Sequence, residues 1–179
     1  MNNYRYVPIR DIGNIVTGKT PLTKKQEYYN GSYMFVSPTE LHNDFIVTKT
    51  EKTLTDLGMN SIKANIIQGV SVLVGCIGWD MGNVALCLEK CATNQQINSI
   101  TDIKEEFNPF YIYYWFKGKK EYLFSISSVT RTPILSKSDF ADILIPIPIK
   151  EYQDKIANLL SNIDLKILNN NKINDNLAA

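Results

Sequence analysis

The chain has 179 residues, 44% hydrophobic and 21% charged, with a formal net charge of +1. That length holds one core of about 150 residues plus an appendage and leaves no room for two independent cores, and the near-neutral charge does not fit a strongly acidic DNA mimic. No apolar run approaches the ~20 residues needed to span a bilayer, and Met1–Arg5 lacks the basic-then-apolar opening of a signal peptide, so the expected location is the cytoplasm with no membrane association.

In chain order, β-branched and aromatic residues cluster between turn signals at Asn14–Thr17, Tyr33–Val36, Val70–Val74, Asn83–Leu88 and Gln96–Ile100, which predicts short strands. Gly75-Cys76-Ile77-Gly78-Trp79-Asp80-Met81-Gly82-Asn83 carries three glycines and an Asp, the composition of a hairpin-like connection with positive backbone angles. Asn108-Pro109 supplies an N-cap and an N1 proline for a core helix that is aromatic on most sides and basic at its end, Lys117-Gly118-Lys119-Lys120. Ser136-Lys137-Ser138-Asp139 caps a second short helix reaching Asp142. Ile143–Ile149 is an apolar strand in which Pro146 and Pro148 are predicted to end ladder pairing and hand the chain directly to a helix.

That last helix is predicted from Ile149 to Ala179. Ile149, Ile156, Ile163, Asn170 and Leu177 fall seven apart, with Tyr152, Leu159 and Ile173 on a companion track. At 1.5 Å per residue it is roughly 46 Å long, more than a small domain needs to cover its core, so part of the stripe is expected to meet a partner helix. Asn170 stands where a heptad wants an apolar residue, a device that fixes register and oligomer state. The alternative is a terminal helix folded back on its own domain with Asn170 exposed.

Cys76, Cys87 and Cys91 form no CxxC pair and the single His42 is distant in sequence, so buried reduced thiols are expected, with no metal and no cofactor. Asp11, Glu40 and Asp44 lack the paired-carboxylate spacing of a nuclease, and His42 is read as an ordinary loop residue. Asn108-Pro109-Phe110-Tyr111 resembles the Asn-Pro-Pro-Tyr motif with which amino-methyltransferases hold a flipped adenine, but its third position is Phe and no glycine-rich cofactor turn accompanies it. A capped helix start explains the same four residues. Catalysis is not expected.

What remains is loop chemistry suited to nucleic acid. Gly18-Lys19-Thr20-Pro21-Leu22-Thr23-Lys24-Lys25 combines lysines and hydroxyls for phosphate contact, a use that competes with that of a plain solvated loop. Asn94, Gln95 and Gln96 are amides able to bond adenine, and Arg131 with Lys137 supplies a guanidinium and an ammonium for guanine or phosphate. Trp79 is placed either to stack at a groove or to sit in the core, the commoner site for a tryptophan.

Taken in order, Ile9-Arg10-Asp11-Ile12 before Gly18-Lys19-Thr20-Pro21, Gly78 to Val84 before Thr93-Asn94-Gln95-Gln96-Ile97, Thr132-Pro133-Ile134-Leu135-Ser136-Lys137, and Ile145-Pro146-Ile147-Pro148 before Tyr152-Gln153 make a chain that resembles the DNA-specificity subunit of type I restriction-modification systems over nearly its whole length. The resemblance implies an α+β target recognition domain with a curved, mostly antiparallel sheet and short helices over residues 1–147, then a long helix over 148–179 for dimerisation and methyltransferase docking. It implies sequence-specific binding of double-stranded DNA, methyltransferase and restriction subunits as partners, and a homodimer through the helix. Only one recognition domain and one helix stand where the family usually has two of each, so a half-subunit or a fragment is expected. Phosphate contacts are assigned to Lys19, Lys24, Lys25, Lys119 and Lys120, base contacts to Thr20, Asn94, Gln95, Gln96 and Arg131, a further DNA contact to Lys137, and dimer contacts to Ile149, Tyr152, Ile156, Leu159, Ile163 and Asn170. The alternatives are a stand-alone adenine methyltransferase fragment and an interaction module that does not bind DNA.

Overall fold

The computed structural model describes residues 4–42, 45–129 and 131–178. In chain order its elements are β1 (Arg5–Pro8), α1 (Ile9–Ile12), β2 (Asn14–Thr17), β3 (Tyr29–Val36), β4 (Lys52–Leu54), α2 (Asp56–Ser61), β5 (Ile66–Ile67), β6 (Ser71–Gly75), β7 (Val84–Cys87), β8 (Cys91–Thr93), β9 (Ile97–Thr101), α3 (Pro109–Lys117), α4 (Lys120–Ile126), β10 (Ser128–Val129), β11 (Pro133–Ile134), α5 (Lys137–Asp142), β12 (Leu144–Ile147) and α6 (Lys150–Ala178). The α+β architecture is as expected. The sheet is divided into two four-stranded units, β2-β9-β6-β7 and β4-β3-β8-β5, in which only β3 and β8 run parallel.

Strand β6 explains the layering. Val72 and Val74 belong to the large core shared with α3, α4 and α5, while Leu73 belongs to a second core with Val36, Ile67 and Cys91 from the other sheet. Alternate residues of a strand point to opposite faces, so β6 is buried on both, and its unbroken apolar run is what a central strand requires. The same alternation recurs in the second sheet. Val36 and Cys91 face inward, whereas Phe35 and Ala92 join Leu54, Met59 and Ile62 in a third cluster beneath α2. The molecule is therefore layered as helices, sheet, sheet and helix. The three thiols are free and buried, and burial pushes the Cys76 thiol up to about 12.

The helix starts follow their caps. Asn108 Oδ1 accepts from the Phe110 and Tyr111 N–H groups at 2.9 and 3.2 Å, and the Ser136 hydroxyl accepts from the Asp139 N–H at 3.1 Å. At β12 the outcome differs from expectation. Pairing with β1 continues through Pro146, which lies opposite Tyr6, and stops at Ile147 opposite Arg5. A two-stranded ribbon is all edge, where a missing N–H is tolerated, and the Pro146 carbonyl accepts from the Tyr111 hydroxyl at 2.7 Å. Only Pro148 and Ile149 separate strand from helix.

Helix α6 has two different faces. Gln153, 1% exposed, receives the Asn108 N–H at 2.9 Å and donates to the carbonyls of Glu106 and Pro148 at 3.1 and 3.0 Å. Ala157 is buried one turn later, and Asp164 accepts from the Tyr114 hydroxyl at 2.9 Å and pairs with Lys117 at 3.2 Å. Burial, reinforced by the Asp164 carboxylate, pushes the Tyr114 phenol up, so it remains a donor. The heptad stripe points elsewhere. Ile149, Tyr152, Ile156, Leu159 and Ile163 are 36 to 65% exposed, and Asn170 is exposed as well. The helix thus folds back on its own domain with one face and leaves the predicted dimer stripe open on the other.

Replacing Gln153 with Leu strands the Asn108 N–H and two carbonyls at a buried joint. Urea unfolding should show a loss of about 2 to 4 kcal/mol. Leu159→Ala, on the open stripe, should cost less than about 0.5 kcal/mol in the monomer.

Candidate nucleic-acid interface

Two of the predicted loops form one surface. The Thr20 hydroxyl donates to Gln95 Oε1 at 2.7 Å across 75 residues of sequence, and the backbone of Gly18 and Lys19 is tied to Ile97 and Thr93 by N–H to carbonyl bonds of 3.0 and 2.9 Å. A Cβ on Gly18 would lie 2.0 Å from the Asn94 carbonyl, so only glycine allows this approach. The amides are themselves oriented. Asn94 Nδ2 donates to Gln96 Oε1 at 3.0 Å, and Asn94 Oδ1 accepts from the Gln96 N–H at 3.0 Å. Lys19, Thr20, Asn94, Gln95 and Gln96 are therefore brought together.

The hairpin between β6 and β7 adjoins this group. Gly78 and Gly82 have φ of +88° and +86°, matching the expected positive angles, and Gln96 Nε2 lies 3.9 Å from where a Gly78 Cβ would be. The Cys76 N–H donates to the Gln96 carbonyl at 2.8 Å. On its other side, the Gly78 N–H reaches the Pro133 carbonyl at 2.9 Å, and the Leu135 N–H reaches the Cys76 carbonyl at 2.9 Å. That contact fixes the segment carrying the exposed Arg131 against the hairpin. Gly82 packs on Lys120, whose Cα would be 2.8 Å from a Cβ there. Lys119 lies over the Trp115 ring at 5.5 Å.

The remaining predicted cations are looser. Lys24 is exposed, and Lys25 donates to the Tyr28 hydroxyl at 3.2 Å, a bond that holds its ammonium above the usual range. Beside them Thr20, Thr23, Gln26, Tyr29 and Lys52 line a cleft of about 290 Å³. Lys137 opens α5, which packs on α1 and β2, and no hydrogen bond among the described residues joins it to the other loops.

Sequence reasoning missed two parts of this surface and left a third, Trp79, open between groove and core. Trp79 is 75% exposed, which overturns core burial, and stacks on Phe124 at 6.3 Å with 26° between the rings. Helix α4, which carries Phe124, was hidden because Gly118 breaks the aromatic helix and the lysines after it resemble a helix end; Leu123 and Ile126, three apart, were the available signal. His42 also has a definite place. Its Nε2 lies 3.1 Å from an Asp80 carboxylate oxygen and 3.0 Å from the Asn83 amide nitrogen, and it either donates to the first or accepts from the second, holding the hairpin tip in both cases.

Elsewhere the polar residues serve structure. Asn108 spends its carbonyl oxygen on the cap and its amide on Asp154 at 2.6 Å, so both ends of the side chain that an adenine would need are committed. Glu40 closes a capping box: the Ser37 N–H and hydroxyl donate to it at 2.8 and 2.6 Å, and Glu51 N–H at 3.2 Å. No cluster of three metal-ligating side chains occurs among the described residues, and Asp44 lies outside them.

An array of exposed and half-buried amides, hydroxyls and cations on an α+β frame is the chemistry of a macromolecular recognition domain. The family model for the type I restriction modification DNA specificity domain matches residues 1–179, and the chain belongs to that family. It is 34% identical to the type I restriction enzyme MjaIX specificity subunit of Methanocaldococcus jannaschii, covering 93% of this chain and 39% of that protein. It is 32% identical to the HindI specificity subunit of Haemophilus influenzae, covering 84% and 34%. The chain thus spans between a third and two fifths of these relatives. In fold it resembles the HsdS subunit from Thermoanaerobacter tengcongensis, with a TM-score of 0.70, 16% identity, and coverage of 97% of this chain and 40% of that one.

The Glu40 cap gives a pH dependence. Burial disfavours the carboxylate, but the hydrogen bonds from Ser37 and Glu51 outweigh it and hold the carboxyl below its ordinary range. A depressed folded value contributes stability that is complete above the unfolded pKa of about 4.3 and vanishes as pH falls through the folded value. Urea midpoints from pH 6 to 3 should show this loss in the wild type and not in Glu40→Gln.

Proposed function

We propose that the chain recognises a short sequence in double-stranded DNA as the specificity part of a type I restriction-modification complex in the cytoplasm, directing methyltransferase and restriction subunits without itself doing chemistry. The observation that carries this reading is the Thr20–Gln95 bond, which turns two distant segments into one hydroxyl-and-amide surface in a chain of the specificity-domain family. With Gln95 and Gln96 Oε1 already accepting, their Nε2 groups are left to donate to acceptors on base edges, such as guanine O6 and N7 or thymine O4. Asn94 orients Gln96, and Arg131 supplies a bidentate donor for guanine. Lys19, Lys24, Lys25, Lys119, Lys120 and Lys137 position phosphates, a role that carries affinity and salt dependence but no sequence information.

Residues 1–147 act as the recognition unit and 148–179 as spacer and docking helix. A second copy covers the open stripe of Ile149, Tyr152, Ile156, Leu159 and Ile163, with Asn170 setting the register. A two-fold axis through the helices makes the same patch meet itself and imposes inverted half-sites on the DNA. The 29 residues of α6 span about 44 Å, so the half-site centres are separated by up to about 13 base pairs before domain width is added.

Two measurements test these roles. Arg131→Ala should lose about 1 to 3 kcal/mol on the preferred duplex and little on random DNA, whereas Lys24→Ala should weaken both alike and reduce the salt slope by about one. Equal losses for both variants on both DNAs would reject Arg131 as a base reader. For the helix, Ile156→Lys with Ile163→Lys should sediment as a folded monomer; an unchanged oligomer would reject the stripe as the interface.

A further inference from the structure

We propose that Trp79 is an aromatic wedge that stacks on a base or enters a base step at the recognition site, so that it reads the deformability of the target as well as its hydrogen-bonding pattern. The inference rests on the DNA-binding reading above. Its ground is the way the hairpin tip holds an apolar side chain outward. The Gly78 N–H is fixed to Pro133, Asp80 is paired with His42, and Met81 is fully buried. Trp79 lies between these anchors yet is 75% exposed. Phe124 covers part of the indole and leaves the rest open. An indole anchored in this way loses little conformational freedom on contact, which is what makes a rigid aromatic an effective stacking platform.

The surroundings select nucleic acid as the occupant. Gln96 lies beneath Gly78, Lys120 packs against Gly82, and Arg131 precedes the segment that holds Gly78. Phe124 and the 42% exposed Ile134, bridged to Ile77, continue the apolar surface beside the indole, and the amide and cations around the hairpin add the polar frame that a stacked base and its phosphates would meet. Wedges of this kind unstack a flexible step and bend the duplex, and the energy of that distortion depends on the bases involved.

The test uses the full chain with Trp115→Phe, so that Trp79 is the sole tryptophan, and all comparisons are made within that background. Adding the duplex selected from a random pool should quench Trp79 emission and shield it from acrylamide. Trp79→Ala should bind that duplex about 10- to 100-fold more weakly, Trp79→Phe should recover most of the loss, and near-ultraviolet dichroism elsewhere should stay unchanged. Unaltered emission and unaltered affinity in Trp79→Ala, in a chain that still selects its sequence, would overturn the wedge and leave the DNA reading intact. Loss of methyltransferase-subunit association with normal DNA binding would overturn it in favour of a protein contact. A parent chain that selects no sequence would defeat the DNA reading itself and the wedge with it.

Discussion

The candidate surface depends on one close approach between two backbones. Where β2 ends, Gly18 comes so near to Thr93 and Asn94 that a methyl carbon would sit 2.0 Å from a carbonyl oxygen, far inside van der Waals contact distance. That contact lets the Lys19 N–H reach Thr93 and brings Thr20 within hydrogen-bonding distance of Gln95. Without it the loop of residues 18–25 would be an ordinary solvated connection, since its remaining polar groups have mostly local partners. With it, the amides at 94–96 and Lys19 join one surface, and the hairpin at 75–83 and the segment at 131–135 extend that surface through backbone hydrogen bonds.

The second constraint is the joint between strand and long helix. Gln153 uses both ends of its amide on partners from the α3 approach and from Pro148, so the direction of α6 is set by the α+β body of the fold and not by a flexible linker. An amide buried with full hydrogen bonding is directional in a way that apolar contact is not. In the proposed dimer the spacing between two recognition units would then be transmitted through a rigid element, and the heptad stripe on the other face of α6 is left open.

Much of this was legible in the sequence where it depends on local chemistry. The strand at Asn14–Thr17, the Asn108 and Ser136 caps, the positive angles at Gly78 and Gly82 and the long helix follow from short-range rules, and the structure has them where expected. What escaped is non-local. Strand β1 exists because β12 is there to pair with it, and β8 has three residues whose strand character comes from lying between β3 and β5. Helix α4 was concealed by Gly118 and a lysine run. The individual loops of the surface were visible, but their union was not, because nothing in residues 18–25 announces a partner at Gln95. Trp79 was left between groove and core for the same reason: its exposure is decided by anchors at Pro133 and His42, both distant in sequence.

The most direct measurement is sequence selection from a randomised duplex pool by the wild type, Gly18→Ala and Thr20→Val, each confirmed as folded by near-ultraviolet dichroism. If the two loops act as one reader, separating them by a methyl clash or by loss of the Thr20–Gln95 bond should broaden or change the selected half-site while leaving non-specific, salt-dependent binding largely intact. Folded variants that select the same half-site as the wild type with the same stringency would contradict the account.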